Sequence, residues 1–359
     1  MPKQGRLQPG EPRSAGAIPN RRVPQAWPKD RRFRILSIDG GGIRGVFPAA
    51  ILAGLERTYT GGNPVGAYFD LIAGTSTGGI LALGFGAGLS AADLLDLYVR
   101  RGGEVFLAFT HHPLGRVRVW LRDMRQYARY TYDRAALQRL LTEALGDRLF
   151  GDSQTRLCIP AFEGRHSEVF VFKTPHHPDY QTDRHERMVD VGLSTAAAPT
   201  YFRPLEHGGY VLVDGGVWAN NATMLAVIEA LTCFDIGRDQ IDVLSLGCGD
   251  DPFVVSGAQI TKGGIWHWKK IMFAAMRLQS LAATNQTRLL LGPAAVTRIE
   301  SPLFTPPIRM DEWRRSTQEL LPAAEHALSR YGAQVAATFL RSPAEKFIPA
   351  PARTPASAK

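Results

Sequence analysis

A serine flanked by glycines is the first feature of the chain that could do chemistry. The segment GTSTGG, residues 74–79, matches the pattern G-x-S-x-G through Gly74, Ser76 and Gly78. It follows an apolar run typical of a strand and precedes one typical of a helix, which is the setting of a nucleophile elbow. The turn is tight, so positions two residues from the serine must lack side chains, and the nearby helix N–H groups favour negative charge. We therefore predict that Ser76 is a nucleophile; the alternative is an ordinary helix N-cap serine.

A second glycine-rich turn precedes this motif. In ILSIDGGGIRGVFPAAIL, residues 35–52, Gly40, Gly42 and Gly45 satisfy G-x-G-x-x-G after a predicted strand. Dinucleotide-binding loops share this pattern, and so do loops whose backbone N–H groups hold an oxyanion. A dinucleotide site also needs an acidic residue about 20 positions further on, at the end of a second strand. The second strand here ends at the serine motif instead, so we favour an oxyanion hole over a phosphate site.

A carboxylate that could activate the serine lies in VDGGVWANN, residues 213–221. Asp214 ends a short predicted strand and is followed by Gly215 and Gly216. Carboxylates at such positions are often turn formers. An acyl-transfer serine nevertheless needs a base that is carried on a rigid element, and Asp214 is a candidate for that role.

Histidine is an alternative base, because α/β-hydrolases place Ser, Asp and His in this order along the chain. His267 is the downstream candidate, but it lies in a basic, helix-like segment rather than in a short loop after a strand. Four other histidines lie in polar, proline-containing segments and are predicted to be exposed: His111, His112, His176 and His177. We favour Asp214 as the base and keep a triad through His267 as the alternative.

The elements that must position these motifs alternate between strands and helices. Strands are predicted at residues 33–38, 68–74, 210–216 and 241–249, in TRLCIPAFE and in EVFVFKT, and a helix is predicted at about 221–234. Other helix starts are marked by Ser90, with Asp93 at the capping-box position, and by Asp133, whose helix ends at Gly146. This alternation predicts an α/β sandwich with a largely parallel sheet.

The composition is that of a folded, basic protein. The 359 residues are 45% hydrophobic and carry a net charge of +9. This charge suits an anionic partner such as nucleic acid, a nucleotide or a phospholipid surface, and equally a merely soluble basic protein. The three cysteines form no disulfide framework and no metal-ligand cluster, so we expect a reducing cytosol and no metal. Neither a secretory leader nor a run of apolar residues long enough to span a membrane is evident.

The two ends of the chain differ from its body. Residues 1–30 hold six prolines and six basic residues against two acidic ones, which predicts a disordered or loosely docked arm. Residues 342–359 have a similar composition and predict a disordered tail. Between them, residues 32–340 are predicted to form one domain.

Two segments carry an excess of basic residues. Residues 105–142 contain seven arginines with interleaved aromatics, and residues 252–299 contain six basic residues and no acidic one. A basic face with aromatics suits an anionic membrane interface. It equally suits a nucleotide that is stacked and clamped by arginine, and a solvated helix face is the third alternative.

Taken together, three ordered motifs resemble those of the patatin-like phospholipases: Asp39 to Gly45, Gly74 to Gly78, and Asp214 to Gly216. The segment STAAAPTYFRP, residues 194–204, resembles the family's stretch before the Asp-Gly-Gly motif, and the resemblance covers roughly residues 32–300. It implies a three-layer α/β/α fold with a largely parallel central sheet. It also implies an acyl hydrolase that cleaves membrane phospholipid esters and releases fatty acids.

The resemblance implies specific roles for the motif residues. Ser76 is the implied nucleophile and Asp214 the implied general base, in a dyad without histidine. The implied oxyanion hole is formed by backbone amides around Gly41 and Gly42, within the loop Gly40, Gly41, Gly42, Ile43, Arg44 and Gly45. Apart from the resemblance, no oxygen-ligand loop for calcium is evident in the sequence, so we expect that neither calcium nor another cofactor is required. The basic, aromatic pattern of residues 105–142 separately leads to the hypothesis of a mobile cap over the lipid site.

The glycine-loop motif, the chain length and the basic body also resemble the patatin-like effectors of bacterial CBASS anti-phage systems. This resemblance implies that a cyclic nucleotide, such as cyclic GMP-AMP, switches on phospholipid degradation. It implies a cytoplasmic enzyme that acts at the inner face of the cell membrane, with no nucleic acid polymer as partner. A constitutive lipase without a nucleotide gate stays open as an alternative, and the sequence leaves the oligomeric state and the sn-1 or sn-2 preference undetermined.

Overall fold

A computed structural model describes residues 22–106, 130–249, 255 and 271–352. The strands are β1 (Phe33–Ile38), β2 (Leu71–Gly74), β3 (Arg156–Glu163), β4 (Glu168–Lys173), β5 (Leu205–His207), β6 (Tyr210–Asp214), β7 (Ile241–Leu246) and β8 (Val296–Ile299). The α-helices are α1 (Val46–Tyr59), α2 (Thr77–Gly86), α3 (Ala91–Asp96), α4 (Gly102–Phe106), α5 (Arg134–Leu145), α6 (Met188–Thr195), α7 (Gly216–Ala219), α8 (Thr223–Cys233), α9 (Ile271–Leu291) and α10 (Trp313–Phe339).

The strands form one sheet in the order β5-β6-β3-β2-β1-β7-β8, with β4 also paired to β3. The pairs β3–β2, β2–β1, β1–β7 and β7–β8 are parallel, whereas β4 and β6 run antiparallel to β3. Both faces of the sheet are covered: Leu36 and Ile38 of β1 join one apolar core, and Phe33 and Ile35 join the other. A strand buried on both faces needs helices on both sides, which confirms the predicted α/β/α fold.

Strand β3 has three partners although a strand has only two edges. It pairs with β2 through residues 156–158, with β4 through residues 158–163 and with β6 through residues 161–163. Because the β4 pairing overlaps both others, β2 and β6 must share the opposite edge of β3. They approach along that edge from opposite directions, so their carboxyl ends meet near residues 159 and 160.

The predicted helix termini are present. The Asp93 N–H donates to Ser90 Oγ at 3.1 Å and the Ser90 N–H donates to Asp93 Oδ2 at 3.3 Å, which completes a capping box. Asp133 Oδ1 accepts from the Ala135 N–H at 3.0 Å, and Gly146 ends α5 with a φ of 61°. These local signals were sufficient to define where α3 and α5 begin because each cap satisfies an N–H that the helix leaves open.

Parts of the predicted arm and tail lie against the body. The sequence predicts an arm over residues 1–30, but Trp27 is buried, with its ring centroid 4.7 Å from that of Phe33 and 5.4 Å from that of Phe234. Near the other end, Phe347 is buried as well. These two aromatic side chains pack residues near both ends of the described chain against the body, whereas residues 1–21 and 353–359 lie outside the described residues.

The predicted cap at residues 105–142 falls mostly outside the described residues, which resume at residue 130. At its edges, Phe106 packs against Tyr132, with ring centroids 5.4 Å apart. Within the described ranges, each helix is too short or too polar to cross a lipid bilayer.

Candidate active site

Ser76 lies in a strained turn between β2 and α2. Its backbone has φ 54° and ψ −120°, a left-handed conformation that non-glycine residues adopt rarely and mostly at functional sites. A Cβ atom at Gly74 would lie 2.1 Å from the Gly78 carbonyl oxygen, and one at Gly78 would lie 2.1 Å from the Ile38 carbonyl oxygen. Glycine is therefore required at position 74 for the turn to close, and at position 78 for the turn to pack against the end of β1.

The hydroxyl of Ser76 does not cap α2, so it is free for another partner. It makes no side-chain cap hydrogen bond, and it lies near enough to the Asp214 carboxylate to lower the pKa of that group. The Ser76 N–H donates to Thr195 Oγ1 at 3.0 Å, and Thr195 Oγ1 donates to the Pro160 carbonyl oxygen at 2.6 Å. The serine is thus fixed to the stretch of β3 that separates β2 from β6.

Asp214 ends β6 opposite Ala161 of β3 and is only 4% exposed. Its Oδ1 accepts from the Gly216 N–H at 2.7 Å. Burial raises the pKa of Asp214 to about 6, although the nearby Ser76 hydroxyl and the hydrogen bond from Gly216 oppose that rise. Among the described residues no cation forms an ion pair with it, so its carboxylate is a stronger base than an exposed aspartate.

The glycine loop follows β1 and turns into a short 3-10 helix, Gly42–Gly45. Gly42 has a φ of +59°, and a Cβ atom there would lie 2.4 Å from the Met310 carbonyl oxygen. A glycine is therefore required at this position by conformation and by space.

Several amides of the predicted oxyanion loop are already engaged. The Gly40 N–H donates to the Asn220 carbonyl oxygen at 3.0 Å. The Ile43 N–H donates to the Met310 carbonyl oxygen at 2.9 Å, and the Arg44 N–H donates to the Gly41 carbonyl oxygen at 3.2 Å. Gly45 lies inside the 3-10 turn. The N–H groups of Gly41 and Gly42 have no hydrogen-bond acceptor within the described part of the chain, as expected at a helix N-terminus.

Asp39, which begins the glycine loop, is clamped by Arg298 of β8. Arg298 Nη1 donates to Asp39 Oδ1 at 2.9 Å and Nη2 donates to Oδ2 at 2.6 Å, with both side chains almost fully buried. Arg298 Nη1 also donates to Ser245 Oγ of β7 at 2.7 Å. The fork of the guanidinium thus ties the loop to two neighbouring strands. In the sequence, Arg298 is one of the six cations of the basic segment at residues 252–299, and its pairing with Asp39 was not predicted.

An apolar cavity of about 110 Å³ opens onto Ser76 and Asp214. Its polar lining includes Ser76, Thr77, Tyr98, Asp214 and Asn220, and among the described residues no Lys, Arg or His lines it. The rest is largely aliphatic and aromatic, for example Ile80, Leu97, Phe106, Leu137, Leu140 and Phe202. Such a cavity suits a hydrocarbon chain better than a phosphate.

The predicted exposure of His176 and His177 is wrong, because both are only 3% exposed. Gln25 Nε2 donates to the His176 carbonyl oxygen at 2.6 Å, and His177 Nε2 lies 3.1 Å from the Val23 carbonyl oxygen. The docked arm therefore covers both histidines. Neither lines the cavity, while His111, His112 and His267 lie outside the described residues.

Cys158, His176 and Glu229 bring three metal-ligating atoms within 4.8 Å of one another. His176 Nδ1 is 2.9 Å from Thr174 Oγ1 and its Nε2 is 3.1 Å from Glu229 Oε1. Lys173 Nζ lies 2.5 Å from Glu229 Oε2 and supplies the positive charge. Protein partners therefore already satisfy the histidine and the carboxylate, so we interpret the cluster as a structural network.

Comparisons with known proteins point to one family. Residues 36–227 match the family described as patatin-like phospholipase. The chain is 32% identical over 262 residues to a protein from Pseudomonas aeruginosa named cGAMP-activated phospholipase, covering 72% of this chain and 76% of that one. A protein of the same name from Vibrio cholerae is 37% identical over 266 residues, covering 68% and 74%. Patatin-like protein 2 from Oryza sativa is 32% identical over 278 residues, covering 67% of each chain.

We predict that Arg298→Met destabilises the fold strongly, because it leaves the buried Asp39 carboxylate without its cation. The free energy of unfolding, measured by urea denaturation, should fall by about 3–5 kcal/mol. The control is Arg187→Met, which removes an ion pair to Asp147 in which the two side chains are 42% and 95% exposed. That change should cost less than about 1 kcal/mol. Equal losses in the two variants would contradict the clamp.

Proposed function

The chain belongs to the patatin-like phospholipase family, and on that premise we propose that it cleaves acyl esters of membrane phospholipids with Ser76 and Asp214 as a catalytic dyad. The observation that carries this proposal is that Ser76 borders the same apolar cavity as a buried aspartate of raised pKa and lies near enough to act on that pKa. A carboxylate in such an environment is able to accept the serine proton near neutral pH.

In the first step, the Ser76 oxygen attacks the ester carbonyl carbon while its proton passes to Asp214. The carbonyl oxygen becomes an oxyanion, for which we propose the free N–H groups of Gly41 and Gly42 as donors. When the tetrahedral intermediate collapses, the bond to the lysophospholipid oxygen breaks and that oxygen takes the proton from Asp214. The acyl group stays on Ser76 as an ester.

In the second step, water hydrolyses this acyl-enzyme. Its oxygen attacks the acyl carbon, Asp214 accepts one of its protons, and the bond from carbon to Ser76 Oγ breaks. Ser76 regains its proton from Asp214 and the fatty acid leaves. The apolar cavity beside Ser76 supports this sequence because it offers a site for the acyl chain.

A face of α9 supports a membrane substrate. Ile271, Leu278 and Leu289 are 49%, 64% and 87% exposed and recur along one side of the helix. Residues 271–291 contain no acidic residue, and Phe273 and Met276 of the same helix line the cavity. An exposed apolar stripe on a helix without negative charge suits contact with an anionic bilayer.

We further propose that a cyclic dinucleotide such as cyclic GMP-AMP switches the enzyme on in anti-phage defence, at the inner face of the cell membrane. The support is the name of the two bacterial relatives, cGAMP-activated phospholipase. Because no cation lines the described cavity, we expect the nucleotide to bind elsewhere. The alternative is a constitutive enzyme without a nucleotide gate, because the name of the plant relative mentions no activator.

We predict that Ser76→Ala lowers the rate of fatty-acid release from phospholipid vesicles by more than about 10³-fold, because the nucleophile is lost. The matched control is Ser90→Ala. Ser90 is a true N-cap, so its loss should cost about 1 kcal/mol of stability and leave turnover unchanged. His267→Ala should also remain active, whereas its inactivation would favour a Ser-His-Asp triad.

A second prediction concerns pH. Asp214 must be ionised to act as base, and its pKa is raised to about 6. The value of kcat/KM for an uncharged, soluble p-nitrophenyl ester should therefore be constant above about pH 7 and fall about tenfold per pH unit below 6. A profile that stays flat down to pH 4.5 would contradict the assignment of Asp214 as the base.

A third prediction concerns the gate. Vesicles of anionic phospholipid are mixed with the enzyme alone or with a panel of cyclic dinucleotides, and fatty-acid release is measured. We expect release with one nucleotide only, and none from Ser76→Ala under any condition. Ser76-dependent release without nucleotide would keep the dyad and rule out the gate.

A further inference from the structure

Asn220, directly after α7, has one polar atom that the proposed mechanism has not used. Its side chain is buried, with 5% exposure, and lines the catalytic cavity. Nδ2 donates to Ser280 Oγ of α9 at 3.1 Å. Oδ1 is buried and accepts no hydrogen bond from any described residue. Buried amide oxygens are normally paired, so an exception in a catalytic cavity points to a ligand.

Two glycines border the space that Asn220 Oδ1 faces. A Cβ atom at Gly216 would lie 3.0 Å from Asp214 Oδ1 and 3.3 Å from Asn220 Oδ1. A Cβ atom at Gly40 would lie 2.6 Å from Asn220 Oδ1 and 3.4 Å from Ser76 Cβ. The carboxylate and the amide oxygen therefore border the same small space beside Ser76, and the glycines keep it open.

We propose that Asn220 Oδ1 binds the water that hydrolyses the acyl-enzyme, an inference that rests on the proposed Ser76–Asp214 mechanism. Both groups around the space are acceptors, so the molecule between them must offer two donors, as water does. Once Ser76 is acylated, its oxygen carries no proton to donate, and the Asp214 carboxylate is open to a new donor. A water that donates one hydrogen to Asp214 and the other to Asn220 directs a lone pair at the acyl carbon.

The proton balance assigns different roles to the two side chains. Asp214 takes the hydrogen that the attacking water loses and passes it to Ser76 Oγ as the ester bond breaks. Asn220 takes no proton, and it accepts from the hydrogen that the water oxygen keeps and carries into the fatty acid. Acylation needs no water, so Asn220 acts in the second step only.

The neighbouring asparagine provides a matched control. Asn221 Oδ1 accepts from the Thr223 N–H at 2.8 Å, and its Nδ2 donates to Thr284 Oγ1 at 3.1 Å and to the Ser280 carbonyl oxygen at 3.3 Å. Both polar atoms of Asn221 are thus paired within the scaffold, and Asn221 does not line the cavity. Asn221→Ala should lower the melting temperature without changing which step limits turnover.

The test is rapid-mixing hydrolysis of a p-nitrophenyl acyl ester by the full chain. The assay includes a cyclic dinucleotide if the wild type needs one for activity. Asn220→Ala removes the acceptor, and Asn220→Leu removes it while keeping the number and branching of the side-chain heavy atoms, which provides a second variant if the alanine variant is unstable. Both should release a burst of p-nitrophenol equal to the enzyme concentration and then turn over about 10²-fold more slowly. The value of kcat/KM should stay close to that of wild type, and intact-protein mass spectrometry should detect the acyl adduct.

Other outcomes would overturn the inference. If kcat and kcat/KM fall together without a burst, Asn220 acts in acylation or only in folding. If kcat is unchanged, Asn220 does not hold the water. Hydrolysis that persists in Ser76→Ala would instead overturn the proposed function. The double variant Ser76→Ala/Asn220→Ala distinguishes the two claims: if the burst seen in Asn220→Ala disappears in it, the burst depends on Ser76, and the role of Ser76 stands whatever the role of Asn220.

Discussion

One edge of strand β3 is shared by two strands that approach from opposite directions, and the candidate site exists only where they meet. The registers that pair Ala73 with Cys158 and Asp214 with Ala161 fix the distance between the two strand ends. The gap between them falls at Pro160, which has no N–H to leave unpaired. The Pro160 carbonyl oxygen accepts a hydrogen bond from the Thr195 hydroxyl. Two turns that are remote in sequence are therefore brought together by the hydrogen bonds of a third strand.

Two buried aspartates show how the surroundings of a carboxylate set its role. Asp39 is held by both arms of the Arg298 guanidinium, and this ion pair fixes the start of the glycine loop. Asp214 has no cation among the described residues, and burial raises its pKa to about 6. A carboxylate with a cation partner would be too weak a base for a serine. The ion pair with Arg298 thus holds Asp39 in place, whereas the lack of a cation near Asp214 among the described residues leaves that carboxylate more basic.

The sequence could predict the residues of the site because their requirements are local. A tight turn around Ser76 needs glycine on both sides, and the capping box of Ser90 depends on a residue three positions later. The partners that hold the site depend on pairing between distant segments. Arg298 resembled the other cations of its segment until the β7–β8 pairing placed it beside Ser245 and Asp39. His176 was predicted to be exposed for the same reason, since Gln25, which covers it, lies 151 positions earlier in the chain.

The described cavity offers the proposed nucleotide activator no cationic side chain. The described cavity holds the reacting groups among apolar side chains, and no cation lines it. A doubly charged cyclic dinucleotide would lose its hydration there without gaining a compensating charge. An activator bound elsewhere changes the rate only by favouring one conformation over another. To convert an enzyme that is 99% inactive into one that is 99% active, it must bind the active state about 10⁴-fold more tightly, or about 5.5 kcal/mol. A difference of that size needs several new contacts to the phosphates, so arginines outside the cavity are where the activator's site should be sought.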